Sequence, residues 1–498
     1  MPMSASRPSP SSLPPGLLLL TVLLLGGGAA ARPRSARGAS EARAPAPEWL
    51  ARLPKGERWQ EHLRQELLPF WTMPSALGEP LGAFPSVRCN DGSLLDRSNP
   101  CPELRGNDWL LADVTYVVAL SRQTYAYGVA FHLTGEPRYL ALARAGVDHL
   151  RQHAFDREHG GAFSWRDNAA GAWGPDVSQR NPQEQSYALL GLAFYYYLTR
   201  DEAVLQDLVA GKEYLFQAYG PPPLRQSPGG QGPVRVMDTL DPLNTFLVLL
   251  TPTLPPRQRK AWERDMQALS RQLVDGFYSP SENLFFRDLL PPEERKVGNS
   301  EADFGHTIKA LWMLRMVGQL TKEPKLVRFA ETHGPQVLRR AFDSDTGAWT
   351  SRPLPDGSLD KTRDWFIHAE LDQFAASLAL TTPSAGQYLP ATVDFWMRRF
   401  VDPAHGEVWT FLDGATHQPL PVLPKQWPWK NGYHSFEHAL VGYITARQLH
   451  GEPVVLHYAF QPAESAPRAV RPYFYSGEVQ HVQPVAPSVY RVTFRAVR

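Results

Sequence analysis

Two histidines stand near the starts of apolar, helix-patterned segments, where an acid–base pair can be held rigidly. The first lies in Phe304-Gly305-His306-Thr307-Ile308-Lys309-Ala310-Leu311-Trp312. Ser300 with Asp303 three residues on reads as a capping box, placing His306 in an early helical turn. Lys309 lies one turn further and shares that face. A cation there favours the neutral imidazole of a general base. Taken alone, such a histidine is more often structural than catalytic. The second lies in Trp429-Lys430-Asn431-Gly432-Tyr433-His434-Ser435-Phe436-Glu437-His438. Helical spacing puts His434, Glu437 and His438 on one face, and His-x-x-Glu-His also matches a zinc-protease pattern. Such a centre needs a third ligand on a later helix. Downstream lies only a strand-like tail with Glu452, Glu464 and Glu478, so no metal is assigned. Glu370 opens a further helix in Trp365-Phe366-Ile367-His368-Ala369-Glu370, where the helix dipole also favours a plain solvated acid. Arg122 sits inside an apolar helix and either reaches water or faces a cavity where it binds oxygens.

The elements that must position these residues are helices. An apolar period of 3.6 runs through Asp108–Leu133, Pro137–Phe155, Gln183–Leu198, Val204–Ala218, Arg257–Phe277, Asp303–Leu320, Lys325–Phe342, Phe366–Leu380 and His434–Leu449. Weaker patterns cover Trp59–Trp71, Leu240–Leu250 and Ala385–Phe400. A cryptic repeat punctuates them: Phe155-Asp156 leads to Gly160-Gly161 and Trp165, Phe342-Asp343 to Gly347 and Trp349, and Val401-Asp402 to Gly406 and Trp409. The unit reads as helix, short hairpin, next helix. Such units stack as an open solenoid or close into a ring, and about six pairs suit a closed (α/α)6 barrel. The tail differs: Val454–Phe460, Arg471–Val479 and Ser488–Phe494 alternate like short strands, too few for an independent domain.

Composition narrows the class. Fifty-one Lys+Arg against 50 Asp+Glu leave a formal charge of +1, so nucleic acid is not the expected partner. Eleven per cent aromatic residues, 14 of them Trp, suit sugar-stacking surfaces, although most such rings belong to cores. Leu17–Leu25 followed by Ala29-Ala30-Ala31 reads as a signal peptide over 1–31, cleaved after Ala31. A retained anchor is the alternative, but nine residues are too short to span a bilayer, and no later stretch is long and apolar enough. Residues 32–50 read as a flexible leader, 51–450 as the helical domain and 451–498 as a β-rich tail packed on it. Cys89 and Cys101, the two cysteines, flank a polar loop and are expected to pair in an exported protein, periplasmic or secreted.

In order along the chain, Arg122-x-x-Tyr125, Gly305-His306-x-Ile308 before a Leu-Trp helix, Trp365-x-x-x-Ala369-Glu370 and Lys430-x-x-Tyr433-His434 resemble the N-acylglucosamine 2-epimerase superfamily, which includes mannose isomerases and cellobiose 2-epimerases. The resemblance covers about residues 56–450 and implies an all-α (α/α)6 barrel with a sugar pocket at one mouth. It implies that His306 and His434 exchange the proton at C2 beside the opened sugar's carbonyl, without metal or redox cofactor. On that reading Arg122 and Glu370 are expected to hold ring or hydroxyl oxygens and Trp312, Trp365 and Trp429 to stack on the sugar, with Asn244, Lys309 and Glu437 also expected as substrate-binding residues. Three positions depart from the family pattern. Lys309 stands where the family has Glu, and Glu437 stands after the second histidine where it often has Arg. Asp241-Pro242-Leu243-Asn244-Thr245-Phe246 matches a segment that elsewhere carries two histidines.

The expected function is therefore a sugar 2-epimerase or aldose–ketose isomerase, monomeric or homodimeric, with a small sugar as its partner. Lys309 is expected to keep His306 neutral, and Glu437 to favour protonated His434. A glycoside hydrolase on the same barrel is the alternative, drawing two carboxylates from Glu370, Asp303, Asp241 and Glu437. A catalytically silent glycan-binding protein is a third. Two histidines at the barrel mouth favour the first reading and a carboxylate pair the second.

Overall fold

In a computed structural model of the chain, residues 46–229, 232–460 and 470–498 are described. The expected signal peptide and nearly all of the expected leader lie outside them. A compact unit runs from Pro47 to Arg498. It takes in the end of the expected leader, because Trp49 is buried in its core.

Helical segments alternate between two kinds. Val117–Thr134 (α2), Pro182–Thr199 (α4), residues 236–250 (α6), Phe304–Leu320 (α8), Trp365–Ala379 (α10) and Gly432–Leu449 (α12) are buried around nearly their whole circumference. Residues 56–71 (α1), Pro137–His149 (α3), Glu202–Ala218 (α5), Pro256–Phe277 (α7), Pro324–Ala341 (α9) and residues 389–400 (α11) bury one apolar stripe. A helix that is apolar all round must lie inside and one with a polar face outside. The even-numbered helices accordingly form an inner ring, each packed on the next, and α12 returns to pack on α2. The ring is closed, so the fold is an (α/α)6 barrel rather than an open solenoid. Gly191 permits the tight α2–α4 approach, since a Cβ there would lie 2.6 Å from the Ser121 carbonyl oxygen.

The repeat has one geometry. The Asp156, Asp343 and Asp402 turns each connect an outer helix to the next inner one, and each aspartate carboxylate meets a buried cation. Arg180 lies at 2.6 Å, Arg363 at 2.7 Å and Lys425 at 2.6 Å. Each aspartate carbonyl also accepts the amide of Gly160, Gly347 or Gly406, whose positive φ suits the turn. A fourth copy at Tyr278-Ser279 was not legible in the sequence because serine replaces the aspartate. There Arg295 instead donates to the Tyr278 carbonyl at 2.9 Å.

Two expected elements differ. The helix expected from Asp108 begins only at Val117. Asp108–Leu111 makes a single tight turn, and Val114–Tyr116 pairs antiparallel with Trp165–Asp167, strand pairing that the β-branched Val114 and Thr115 favour. In the tail, Val454–Tyr458 and Val489–Arg495 are strands, but the third strand is Glu478–Ala486. Arg471–Val479 does not form the expected strand, because Tyr473, Phe474 and Tyr475 all turn inward and are buried against the barrel. No helix among the described residues is long and apolar enough to cross a membrane.

Cys89 and Cys101 are bonded, with their Cα atoms 6.0 Å apart. The loop they close leads to Trp109, whose ring meets Trp427 at 6.1 Å, and the Asn107 side chain donates to the Val422 carbonyl at 2.8 Å. Cross-linking so short a loop stabilises the fold by about 2–3 kcal/mol, mainly by restricting the unfolded chain. The Cys89→Ser/Cys101→Ser double variant should therefore lose that much in denaturant titration; an unchanged midpoint would show that the bond only decorates the rim.

Candidate active site

The inner helices present their N-terminal turns to one cavity of about 290 Å³. Asn181, Asp303, Asp364 and Asn431 cap α4, α8, α10 and α12 with side-chain oxygens. Each inner helix supplies its early residues to the lining: Arg122, Tyr187, Asp241 with Asn244, His306 with Lys309, Trp365 with Phe366 and Glu370, and His434. Six converging helix N-termini make the cavity favourable for developing negative charge. Trp427 and Trp429 complete the wall. A neighbouring groove of about 400 Å³ shares His306, Asp364, Phe366 and Phe411 with it. A larger open cleft of about 890 Å³ beside the Val114–Gly174 sheet shares no lining residue with the cavity.

Both histidines line this cavity, and Phe366 touches both, at ring separations of 5.2 Å to His306 and 5.6 Å to His434. His306 is partly exposed at the mouth, and its Nδ1 lies 2.6 Å from Asp303 Oδ2. Burial works against the imidazolium, but Asp303 outweighs it through charge and hydrogen bond, lifting the pKa to about 9. His434 is the opposite case. Burial, reinforced by Arg122 and Lys309, holds its pKa well below the ordinary value. Neutral His434 donates Nδ1–H to Glu370 Oε1 at 3.0 Å, which leaves Nε2 as the lone-pair nitrogen.

The expected division of protonation is thus reversed. Lys309 does not repel His306, because its ammonium points inward, to Glu370 Oε1 at 2.8 Å and Glu437 Oε2 at 3.1 Å. Asp303, the cap residue three positions earlier, governs His306 instead. Ser300, the expected capping serine, donates to Asp288 at 2.7 Å. The two charge departures from the family pattern answer each other, since Lys309 and Glu437 form a buried pair. That pair also bears on metal binding: Glu370, His434 and Glu437 bring possible ligand atoms close together, and the Lys309 ammonium sits on both carboxylates. His438 does not join them. It faces the outer ring, against Trp59 and Trp396 at 4.8 and 4.6 Å and Asp372 at 3.2 Å, so the His-x-x-Glu-His string is not a ligand set.

Two expected sugar contacts fall outside the cavity lining. Trp312 is fully buried beneath Lys309 and packs on Phe474, because its position two turns into α8 points it to the barrel interior. Glu437 lies below the cavity floor, spent on Lys309 and Tyr473. Asn244 does line it but exchanges hydrogen bonds with the Tyr433 hydroxyl. Arg122 stacks over Tyr187 at 4.0 Å and donates to the Trp429 carbonyl at 2.5 Å. Five lining residues keep a buried polar atom without a protein partner: Arg122 Nε, Asp241 Oδ2, Glu370 Oε2, Trp365 Nε1 and Trp427 Nε1. A lining that mixes carboxylates, cations and aromatic rings suits a ligand that both donates and accepts hydrogen bonds, as polyols do. Burial lifts Asp241 to about 6, against the pull of His306 and Arg122, and holds Asp364 well above the ordinary carboxylate range. Sequence reasoning did not single out Tyr187, Asp364, Phe366 or Trp427 as lining; only an aromatic or a cap beside a named motif marked them.

The fold is an (α/α)6 barrel with a polar, aromatic-walled cavity at one mouth. No protein-family model matches the sequence. Among solved structures, cellobiose 2-epimerase from Spirochaeta thermophila superposes with a TM-score of 0.65 at 19% identity, over 79% of this chain and 97% of that one. Cellobiose 2-epimerase from Bacillus thermoamylovorans gives 0.65 at 15% identity, over 79% and 99%. A D-mannose isomerase gives 0.63 at 14%, over 80% and 99%. The chain has the fold of these proteins.

Proposed function

We propose that the protein is an exported sugar 2-epimerase or aldose–ketose isomerase that moves the C2 proton of an opened reducing sugar between two histidines. The observation that carries this reading is that His306 and His434 line one cavity, His306 held by Asp303 and His434 by Glu370, beside aromatic walls. His434 Nε2 takes the C2 proton. The C2–H electron pair forms the C1–C2 double bond, and the carbonyl pair moves onto O1, which His306 Nε2–H stabilises by a hydrogen bond. For the epimer, the carbonyl re-forms as C2 takes the Nε2 proton of His306 from the opposite face, leaving His434 protonated and His306 neutral until solvent re-equilibrates them. For the ketose, His306 protonates O1, His434 returns its proton to C1, and O2–H gives its proton back to His306. General acid–base catalysis of this kind contributes about 10²–10⁴-fold per group. Arg122 and Glu370 hold hydroxyl oxygens, Trp365 stacks on the sugar, and the helix N-termini stabilise the enediolate. Only protons move, so the sequence of steps needs neither metal nor redox cofactor. The disulfide supports export, since such bonds persist in oxidising compartments.

Asp241 and Glu370 both line the same cavity, and each keeps one buried carboxylate oxygen without a protein partner, which favours glycoside hydrolysis as a second reading. Proton NMR of a panel of reducing sugars and their methyl glycosides in D2O separates the two. Epimerisation or isomerisation replaces the C2 proton by deuterium in free sugars and leaves glycosides untouched. Glycoside cleavage without C2 exchange would replace the first reading by the second.

The reading also sets the pH profile. Turnover needs protonated His306, so it is present below the His306 pKa and lost as pH rises through about 9. Asp303→Asn removes the charge that raises this pKa and should bring the alkaline limb down by at least about one pH unit. A limb that stays in place would mean another group titrates there.

A further inference from the structure

The barrel is closed beneath the cavity by the tail, and the closing turn is built around one strained tyrosine. Tyr473 adopts φ 57°, in the left-handed region, which is rare and costly for a bulky residue and marks a position held by its surroundings. Its amide donates to the Tyr197 hydroxyl at 2.8 Å, and Arg471 braces the turn through the carbonyls of Phe474 and Tyr475 at 2.6 and 3.1 Å. The tyrosine ring stacks on Phe474 at 3.9 Å and is buried. The Tyr473 hydroxyl donates to Glu437 Oε1 at 2.6 Å and accepts from Tyr125 at 3.1 Å. A chain of polar contacts therefore runs from the tail to the cavity: Tyr125, Tyr473, Glu437, Lys309, Glu370 and His434 Nδ1.

We infer that Tyr473 is a positioning residue for the cavity: from the tail its hydroxyl holds Glu437, so that Lys309 stays shared with Glu370 and Glu370 orients the imidazole of His434. The groups that face His434 are Arg122 from α2, His306 and Lys309 from α8, Glu370 from α10 and Glu437 on its own helix. Without the tyrosine O–H, Glu437 has one donor fewer and draws the Lys309 ammonium toward itself. Glu370 is then less neutralised, and its charge favours the imidazolium form of His434. The tail thus sets the protonation of a residue on the far side of the barrel core.

The kinetic part of this inference rests on the proposed proton transfer, but its main test does not. In the full chain, ring NMR of ¹⁵N-histidine should show the His434 titration moving up by about 0.5–1 pH unit in Tyr473→Phe, with near-native thermal unfolding. If sugar turnover is found, kcat at pH 7 should change little, while its acid limb should move up by about the same 0.5–1 pH unit with KM nearly unchanged. Tyr125→Phe, which leaves Tyr473 in place, should give the same direction at smaller size and decides the matter if Tyr473→Phe does not fold. A shifted His434 in a protein that turns over no sugar keeps the positioning role and removes the function. An unshifted His434 in a folded Tyr473→Phe, or in Tyr125→Phe where Tyr473→Phe does not fold, overturns the positioning role whatever the turnover.

Discussion

His434→Gln will lower turnover and C2 deuterium exchange by about 10²–10⁴-fold while leaving the fold and most of the sugar affinity intact. Glutamine keeps a side-chain donor for Glu370 Oε1, so the network beneath it persists, but it offers no basic lone pair to the C2 proton. The drop should appear in kcat and in kcat/KM alike, the pattern of an interaction made only in the transition state. Burial and the neighbouring cations keep the wild-type imidazole neutral into mildly acid solution, so the wild type should hold its activity as pH falls below 6.5. A wild type that loses activity with an ordinary histidine midpoint would place the base elsewhere. So would a His434→Gln protein that still exchanges deuterium at the native rate.

Lys309→Met should cost more in stability than any other single change considered, about 3–5 kcal/mol. The ammonium is buried between Glu370 and Glu437, and both carboxylates lose their counter-charge when it goes. Burial opposes the charge on Lys309, yet the two carboxylates more than compensate and raise its pKa. Adding Glu437→Gln removes one of the stranded charges and should restore about half of the loss, a coupling that a double-mutant cycle measures. Denaturant titration of the three variants tests this. Additive effects would mean that Lys309 and Glu437 act independently despite their 3.1 Å contact.

The sequence carried the ring well because the inner and outer helices differ in composition. Apolar residues surround α2, α4 and α8, whereas α7 and α9 keep one stripe, and that contrast is readable without coordinates. The Asp156, Asp343 and Asp402 turns were equally plain. The Tyr278 copy was hidden by a serine, and the Arg471–Val479 segment was misread because three buried aromatics in a turn look like a strand. At the site, the residues that line the cavity were named more reliably than their partners. His306 and Lys309 share a helix, and helical spacing alone pairs them. The actual partners, Asp303 at the cap and Glu437 across the barrel, depend on which way each side chain leaves its backbone. The protonation assignment was inverted for that reason: the cap Asp303 holds His306 locally, while Lys309 turns away to Glu370 and Glu437 on other helices, and spacing along one helix revealed neither choice.

The central claim is that the two histidines of one cavity hold opposite protonation states near neutrality. Histidine ring ¹⁵N spectra at pH 7, assigned with His306→Gln and His434→Gln, measure this directly. They should show His306 protonated on both nitrogens and titrating near 9, and His434 neutral with its proton on Nδ1. Two neutral imidazoles with ordinary titrations, or a protonated His434 beside a neutral His306, would contradict the account.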